Sequence, residues 1–427
     1  MSTLSSRQQI LLFLGLTIAW AIWTLVSTFN DPHLDISALF MAGWLVGSGQ
    51  EELIYLAPPN VYEVDQMPIW RETMIAQGLP EQVVTAYIYP PIWAKLLAWP
   101  AHAMPAIVFF KSVFIWHMLA VLATVPLAFT LIRRAARPEL TAWGITLFAI
   151  LFATWPVINA FLTNQPQITV TLLIVASAWL VSRDRDIAGG TLLGLAAAIK
   201  VAPILFALIF VINRNWRALF ATLAVSGSIA LLSIAIMGWP LHAAFLDRLS
   251  QINGLIVMNK INYSPEALIY QFADWLKGVP MVDGRERASF TADEPVWITL
   301  VTKAGFLASL AAFWACTRDL PREDRLPVQL FLLCLITALF GPLSWAHYFF
   351  MPALLLPALF LVMPAPRAWK WIATVIIISS LAAFSLLHRF NHIFMFSALV
   401  PMLMYLALTI DTLRAARQTA RAAVPTN

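Results

Sequence analysis

The sequence predicts an all-α, polytopic membrane protein, and three observations predict it. Of the 427 residues, 60% are hydrophobic and only 11% are charged, whereas water-soluble domains carry about a quarter charged residues. The apolar residues gather in runs of about 20, the length one helix needs to cross a bilayer. The bases fall in short loops between those runs, as in loops held on the cytoplasmic side. The pattern predicts one integral-membrane domain over residues 1–427. It is a bundle of about 12 helices with two large extracytoplasmic loops, 30–103 and 238–294. A net charge of +5 placed this way points to membrane lipids and to no nucleic acid. Two cysteines, Cys316 and Cys334, argue against a disulfide framework.

The first apolar run covers 10–29. It exceeds a signal-peptide core and lacks a small-residue cleavage site, so it is read as a retained anchor. The stretch 30–103 carries many acids and few bases. A run at 104–132 leads to the basic loop Arg133, Arg134 and Arg137. Runs at 140–162 and 166–181 are joined by the tight turn Thr163-Asn164-Gln165. The stretch 187–212 lies between two loops that both look cytoplasmic, around Arg183 and Arg214. A single crossing would separate them, so two short half-helices are expected, broken near Lys200-Val-Ala-Pro203. Broken helices occur where backbone is buried in protein or lines a cavity. Crossings follow at 216–237, 296–316, 326–341, 346–363, 371–387 and 393–410, before a basic tail with Arg414, Arg417 and Arg421. With this count every basic cluster falls on one side and both termini are cytoplasmic, in a plasma membrane.

The same count gathers polar residues on the outer face. Asp35 opens a short apolar helix suited to the interface. Tyr89-Pro90-Pro91, Asn164-Gln165, Asn262-Tyr263-Ser264 and Ser344-Trp345-Ala-His347 fall there too. Lys200 would sit deep in the bilayer, where an ionisable residue is costly and usually marks a site. Plainer readings stand beside these. Asp35 suits a helix cap. Lys200 suits a side chain snorkelling to a headgroup, and His347 an interfacial aromatic belt. Tyr89-Pro90-Pro91 suits a fixed extended entry into a helix, and Asn164 and Gln165 suit a tight turn. Asp184-Arg185-Asp186 has the Asp-x-Asp form of nucleotide-sugar enzymes, but no α/β domain surrounds it, and it is read as a charge-balanced turn.

An outer Asp before a small-residue helix, Tyr-Pro-Pro, a Gln-containing turn, Gly-Leu-Ala-Ala-Ala-Ile-Lys200-Val-Ala-Pro203 and Ser344-Trp345-Ala-His347 together resemble glycosyltransferase family 87. The resemblance spans about Asp35 to His347. It departs in the turn, which reads Asn164-Gln165-Pro166-Gln167, and in the loose match at Asn262-Tyr263-Ser264. It implies a GT-C-type membrane enzyme, with Asp35 the acid of the first outer loop and His347 a second polar residue of the active site. The expected partners are a polyprenyl-phosphate sugar, mannose by the family's example, and a glycolipid or glycan acceptor.

Physical argument agrees with that reading. Sugar nucleotides stay in the cytoplasm, so a transferase on the outer face needs a lipid-phosphate sugar. A phosphate leaving group needs no proton, so one carboxylate suffices to deprotonate the acceptor. A glycosidase needs two. The developing phosphate charge needs cations or donors, and Lys200, His347, Asn164 and Gln165 are the candidates. Tyr89, Asn262, Ser344 and Trp345 complete the expected substrate-binding set. The outcome is inverting transfer without metal or other cofactor. Two rivals remain. A transporter or flippase of a lipid-linked or small polar substrate suits the broken helix and the buried Lys. An outer-face metal site would draw on His33, Asp35, His347, His388 and His392, whose spacing has no ligand regularity.

Overall fold

The computed structural model describes residues 5–56, 67–136, 140–279, 289–341 and 343–422; Arg137 of the first basic loop lies outside them. Nineteen α-helices are formed among the described residues. Five stretches are long and apolar enough to cross a membrane: Arg7–Thr28, Ala106–Ile132, Trp216–Met237, Val296–Thr317 and Phe396–Ala422. Six further apolar helical stretches are only 10–17 residues long.

The chain opens with α1 (Ser6–Thr28), begun by a capping box. There the Ser5 hydroxyl accepts from Gln8 N–H while the Gln8 side chain accepts from Ser5 N–H, satisfying two orphan donors. Pro32 then breaks the chain before α2 (Leu34–Gly47). At 14 residues α2 is about 21 Å long, short of a bilayer core. The stretch 30–103 continues with α3 (Pro68–Ala76) and α4 (Pro91–Ala103). Each opens on a proline, which spends no N–H there. α4 lies directly against α2 because Gly43 has no side chain. A Cβ there would stand 2.7 Å from the Leu97 carbonyl oxygen.

α5 (Ala106–Ala136) follows. The run 140–162, expected as one helix, is two: α6 (Leu140–Ala153) and α7 (Trp155–Leu162). Pro156 cannot continue a helix begun upstream, because its ring clashes with the preceding turn. Next are α8 (Gln167–Val181), α9 (Asp186–Ile199), a 3₁₀ turn at Ala202–Phe206 and α10 (Ala207–Ile212). The break expected in 187–212 falls on Lys200, whose backbone is extended (φ −143°, ψ 127°).

α11 (Trp216–Met237) and α12 (Trp239–Asn253) lead to a feature that the all-α expectation missed. β1 (Leu255–Asn259) pairs antiparallel with β2 (Ser289–Asp293), Leu255 facing Asp293 and Asn259 facing Ser289. The Leu-Ile-Val-Met run suits a pleated, half-buried strand. α13 (Pro265–Leu276) lies between the strands in sequence, and α14 (Val296–Thr317) and α15 (Arg322–Phe340) come after. The stretch 346–363, expected as one crossing, is divided into 3₁₀ turns at Ala346–Phe349 and Leu356–Leu361 around α16 (Phe350–Leu355). Pro352 and Pro357 remove helix donors there. The run 371–387 is likewise split, between α17 (Ala365–Ile378) and α18 (Leu381–His388). Thr154, where α6 stops, pairs with Ser380, where α17 stops. Two helix breaks thus satisfy each other's freed backbone groups inside the apolar region. Finally, α19 (Phe396–Ala422) takes in Arg414, Arg417 and Arg421, expected as a tail.

Two clusters of buried side chains hold these elements. The larger includes Phe331, Leu335, Phe349, Phe350 and Tyr405. The smaller, built mainly by residues 36–101 with contributions from α5 and α12, includes Phe40, Trp70, Tyr87 and Phe110. Asp35 adjoins Ile36 of the smaller cluster, and His347 stands between Ala346 and Phe349 of the larger.

Candidate active site

Asp35 occupies the first turn of α2, where unpaired N–H groups favour a carboxylate. Its own backbone N–H donates to the Thr163 carbonyl at 3.0 Å. The turn that supplies Thr163 is sharp because Asn164 adopts a left-handed conformation (φ 50°). It closes as Gln165 N–H reaches back to Ala160 O at 2.9 Å. This swings the Gln165 side chain onto the acid, and its Nε2 donates to Asp35 Oδ2 at 2.6 Å. The same Nε2 lies 3.0 Å from Nε2 of His347, and His347 Nδ1 lies 3.4 Å from Asn159 Oδ1. Gln165, His347 and Asn159 are all buried. Burial pushes the Asp35 carboxyl up to about 6, against the hydrogen bond from Thr163 and the charge of Lys200, which pull it down.

Lys200 ends α9, and its charge acts on both Asp35 and His347. Its Nζ donates to the Tyr348 hydroxyl at 3.1 Å and to Gln167 Oε1 at 3.4 Å. It also lies 4.3 Å from the Tyr348 ring centroid, a cation–π contact. These contacts are neutral, and among the described residues no carboxylate pairs with Lys200 within ion-pair distance. A partly buried ammonium with no carboxylate within ion-pair distance is a ready seat for an anion.

The other expected residues are placed differently. Asn164 turns away from the acid: its Oδ1 meets His117 Nδ1 at 2.7 Å and its Nδ2 donates to Phe110 O at 2.9 Å. Tyr89 is buried, and its carbonyl accepts from the Tyr55 hydroxyl at 2.6 Å. Asn262 clips two segments together. Its Nδ2 donates to Val257 O, and its Oδ1 accepts from the N–H groups of Ser264 and Ser344. Ser344 Oγ donates to Ala338 O, and Trp345 pairs with Asn262 as an isolated bridge. These bonds seat the stretch carrying His347 against the segment between β1 and α13. An apolar groove of about 600 Å³ runs between α13 and the start of α19, lined by Leu268, Phe272, Trp275, Phe394 and Met402.

Asn159, Gln167 and Tyr348 were not among the expected site residues. Asn159 left one signal, a lone amide in an otherwise apolar run.

An enclosed carboxylate, two amides, an imidazole and an ammonium, set in a fold with bilayer-length helices, define a membrane-type protein whose polar site suits proton abstraction beside a bound anion. The sequence model of glycosyltransferase family 87 matches residues 87–343, and the chain belongs to that family. The matched region holds Gln165 and Lys200 and excludes Asp35 and His347. The chain is also similar to a Mycobacterium tuberculosis protein, the polyprenol-phosphate-mannose-dependent alpha-(1-2)-phosphatidylinositol pentamannoside mannosyltransferase. They are 24% identical over 303 residues, covering 68% of this chain and 63% of the relative. The chain thus spans less than two thirds of that relative's length.

Proposed function

We propose that the protein is an inverting glycosyltransferase that moves a hexose, mannose by the relative's example, from a polyprenyl phosphate to an acceptor hydroxyl. The observation that carries this reading is the Asp35 carboxylate, held by Gln165 within the field of an ammonium that lacks a carboxylate partner. Asp35 is the general base. It takes the acceptor's proton as the acceptor oxygen attacks the anomeric carbon from the face opposite the phosphate. The phosphate then leaves with its electron pair and needs no acid. Lys200 faces that phosphate and offsets the charge growing on it. His347 stands behind the base. The apolar groove beside α13 suits a substrate with a long hydrocarbon tail. A lipid-linked acceptor or glycan is the partner, and the reaction takes place on the extracytoplasmic face of the plasma membrane.

The test is transfer by the purified protein from polyprenyl-phosphate mannose to a glycolipid acceptor. Asp35→Asn should lower turnover by about 10²- to 10⁴-fold, the range of general-base catalysis, and leave the fold intact. Retained activity would remove Asp35 as base. Movement of lipid-linked sugar across vesicles with no transfer would favour the flippase reading instead. Reporter fusions after Gln165 and after Trp345 should both be extracytoplasmic.

A further inference from the structure

A chain of hydrogen bonds runs from Asp35 to Asn159, and chemistry dictates its direction. An ionised carboxylate only accepts, so Gln165 must present its nitrogen to Asp35 Oδ2. That nitrogen only donates, so His347 Nε2, 3.0 Å away, must hold a lone pair. A neutral imidazole with a bare Nε2 carries its hydrogen on Nδ1, and Nδ1 faces the side-chain oxygen Oδ1 of Asn159 at 3.4 Å. Each of the three residues behind the acid is only 4% exposed.

We propose that Asn159, His347 and Gln165 are positioning residues for Asp35. Asn159 accepts the Nδ1–H of His347 and so holds the ring whose tautomer the Gln165 amide sets. His347 fixes the Gln165 amide, and that amide aims the carboxylate and favours its ionised form. This rests on reading Asp35 as the base, and it narrows the part of His347. With Nε2 occupied by Gln165 and Nδ1–H committed to Asn159, the imidazole neither relays the acceptor's proton nor donates to the phosphate. The proton taken by Asp35 passes to water after the product leaves. The other titratable groups facing the chain are Lys200, whose charge acts on both Asp35 and His347, and Tyr348, whose ring packs edge-on against His347. His33, two residues before Asp35, packs on Phe110 and Phe114.

The first test needs no activity. Nitrogen-15 NMR of the full-length protein in nanodiscs, with the His347 signals identified by their loss in His347→Gln, reads the tautomer directly. A neutral ring protonated on Nδ1 is expected in the wild type and in Asn159→Asp, which keeps the accepting oxygen. In Asn159→Leu the Gln165 amide still donates to Nε2, so the hydrogen should stay on Nδ1 while its proton resonance moves upfield for want of an acceptor. An Nε2–H ring in the wild type, or an Nδ1–H resonance unchanged in Asn159→Leu, would overturn the proposal.

The second test is the pH profile of mannosyl transfer. Gln165→Leu should move the acid inflection to higher pH by about one unit, because a donor to the ionised form is lost, with the donor KM unchanged. Asn159→Leu should move it the same way by less, and Asn159→Asp should restore it. An inflection unmoved in both leucine variants would also overturn the proposal. If the wild type shows the expected tautomer but transfers no sugar, the hydrogen-bond chain stands and the transferase reading has failed.

Discussion

Nε1 of Trp93 donates a 2.7 Å hydrogen bond to the carbonyl oxygen of Ala198, 105 positions further along the chain. The bond joins α4 to the last turn of α9, two residues before Lys200. The last carbonyls of a helix have no partner within it, so Trp93 satisfies one of them and pins the helix break in place. Trp93→Phe keeps the packing and removes the donor. A loss of about 1 kcal/mol in stability is expected, together with a higher donor KM and a nearly constant kcat. Thermal melts and initial rates at varied donor concentration check both. A changed kcat with constant KM would count against this link between the loop and Lys200.

In the proposed mechanism, Asp35 couples activity to pH and to stability in opposite senses. As a base it must be ionised, so transfer should fall as pH drops through about 6. In the folded protein its pKa lies above the usual 3.8, so folding loses stability as pH rises from there to about 6 and regains none above. Asp35→Asn should therefore turn over far more slowly yet be more stable at pH 7.5, by up to about 3 kcal/mol. At pH 3.5 the two proteins should melt together. A variant that melts lower than the wild type at pH 7.5 would contradict this.

α9 and α11 approach closely at two glycines. A Cβ on Gly190 would stand 2.2 Å from Ala218 O, and one on Gly194 would stand 2.8 Å from Thr222 O. Thr222 Oγ1 also donates to Gly190 O at 3.1 Å. Gly190→Ala should cost about 1–3 kcal/mol through overpacking. Because α9 ends at Lys200, it should also weaken donor binding. Gly227→Ala, in α11 but facing open space, should leave stability equal or slightly higher. Unfolding by denaturant in detergent distinguishes the two.

Glu266, in the first turn of α13, is pushed up to about 7 by burial and by the Glu294 carboxylate, although Thr302 Oγ1 donates to it at 3.2 Å. Its folded pKa lies above its ordinary 4.5, so its contribution to stability is lost as pH rises from 4.5 to about 7. Glu266→Gln keeps an acceptor for Thr302. It should raise stability at pH 8 by about 1–3 kcal/mol and change nothing at pH 4. Equal gains at both pH values would point to packing instead of charge.

The parts of this fold that were legible in the sequence are those set by neighbours along the chain. Apolar runs mark α1, α5, α11 and α14, and Lys200-Val-Ala-Pro203 marks the break after α9. The breaks at Thr154 and Ser380 were harder to see. Pro156 signals the first, but nothing local signals the second, which is stabilised by pairing with the first. The strands β1 and β2 escaped notice because each is only five residues long and both lie within 238–294, a stretch expected as a loop. Within the site, the roles of Asn164 and Gln165 could not be separated by sequence. They are adjacent in one turn, and only the left-handed backbone at Asn164 sends one side chain to His117 and the other to Asp35.

By itself the sequence determined the membrane class, the family, the proline-driven helix starts and the presence of an acid, a lysine and a histidine suited to lipid-phosphate chemistry. Each is read from composition or from residues a few positions apart. The tertiary structure alone decided that Gln165 meets an acid 130 positions before it and an imidazole 182 positions after it. It also recruited Asn159, which no motif distinguishes. Hydrophobic periodicity says which face of a helix is buried but not which helix covers it. Partnerships between distant polar groups are therefore settled only when the helices pack and each buried donor must find an acceptor.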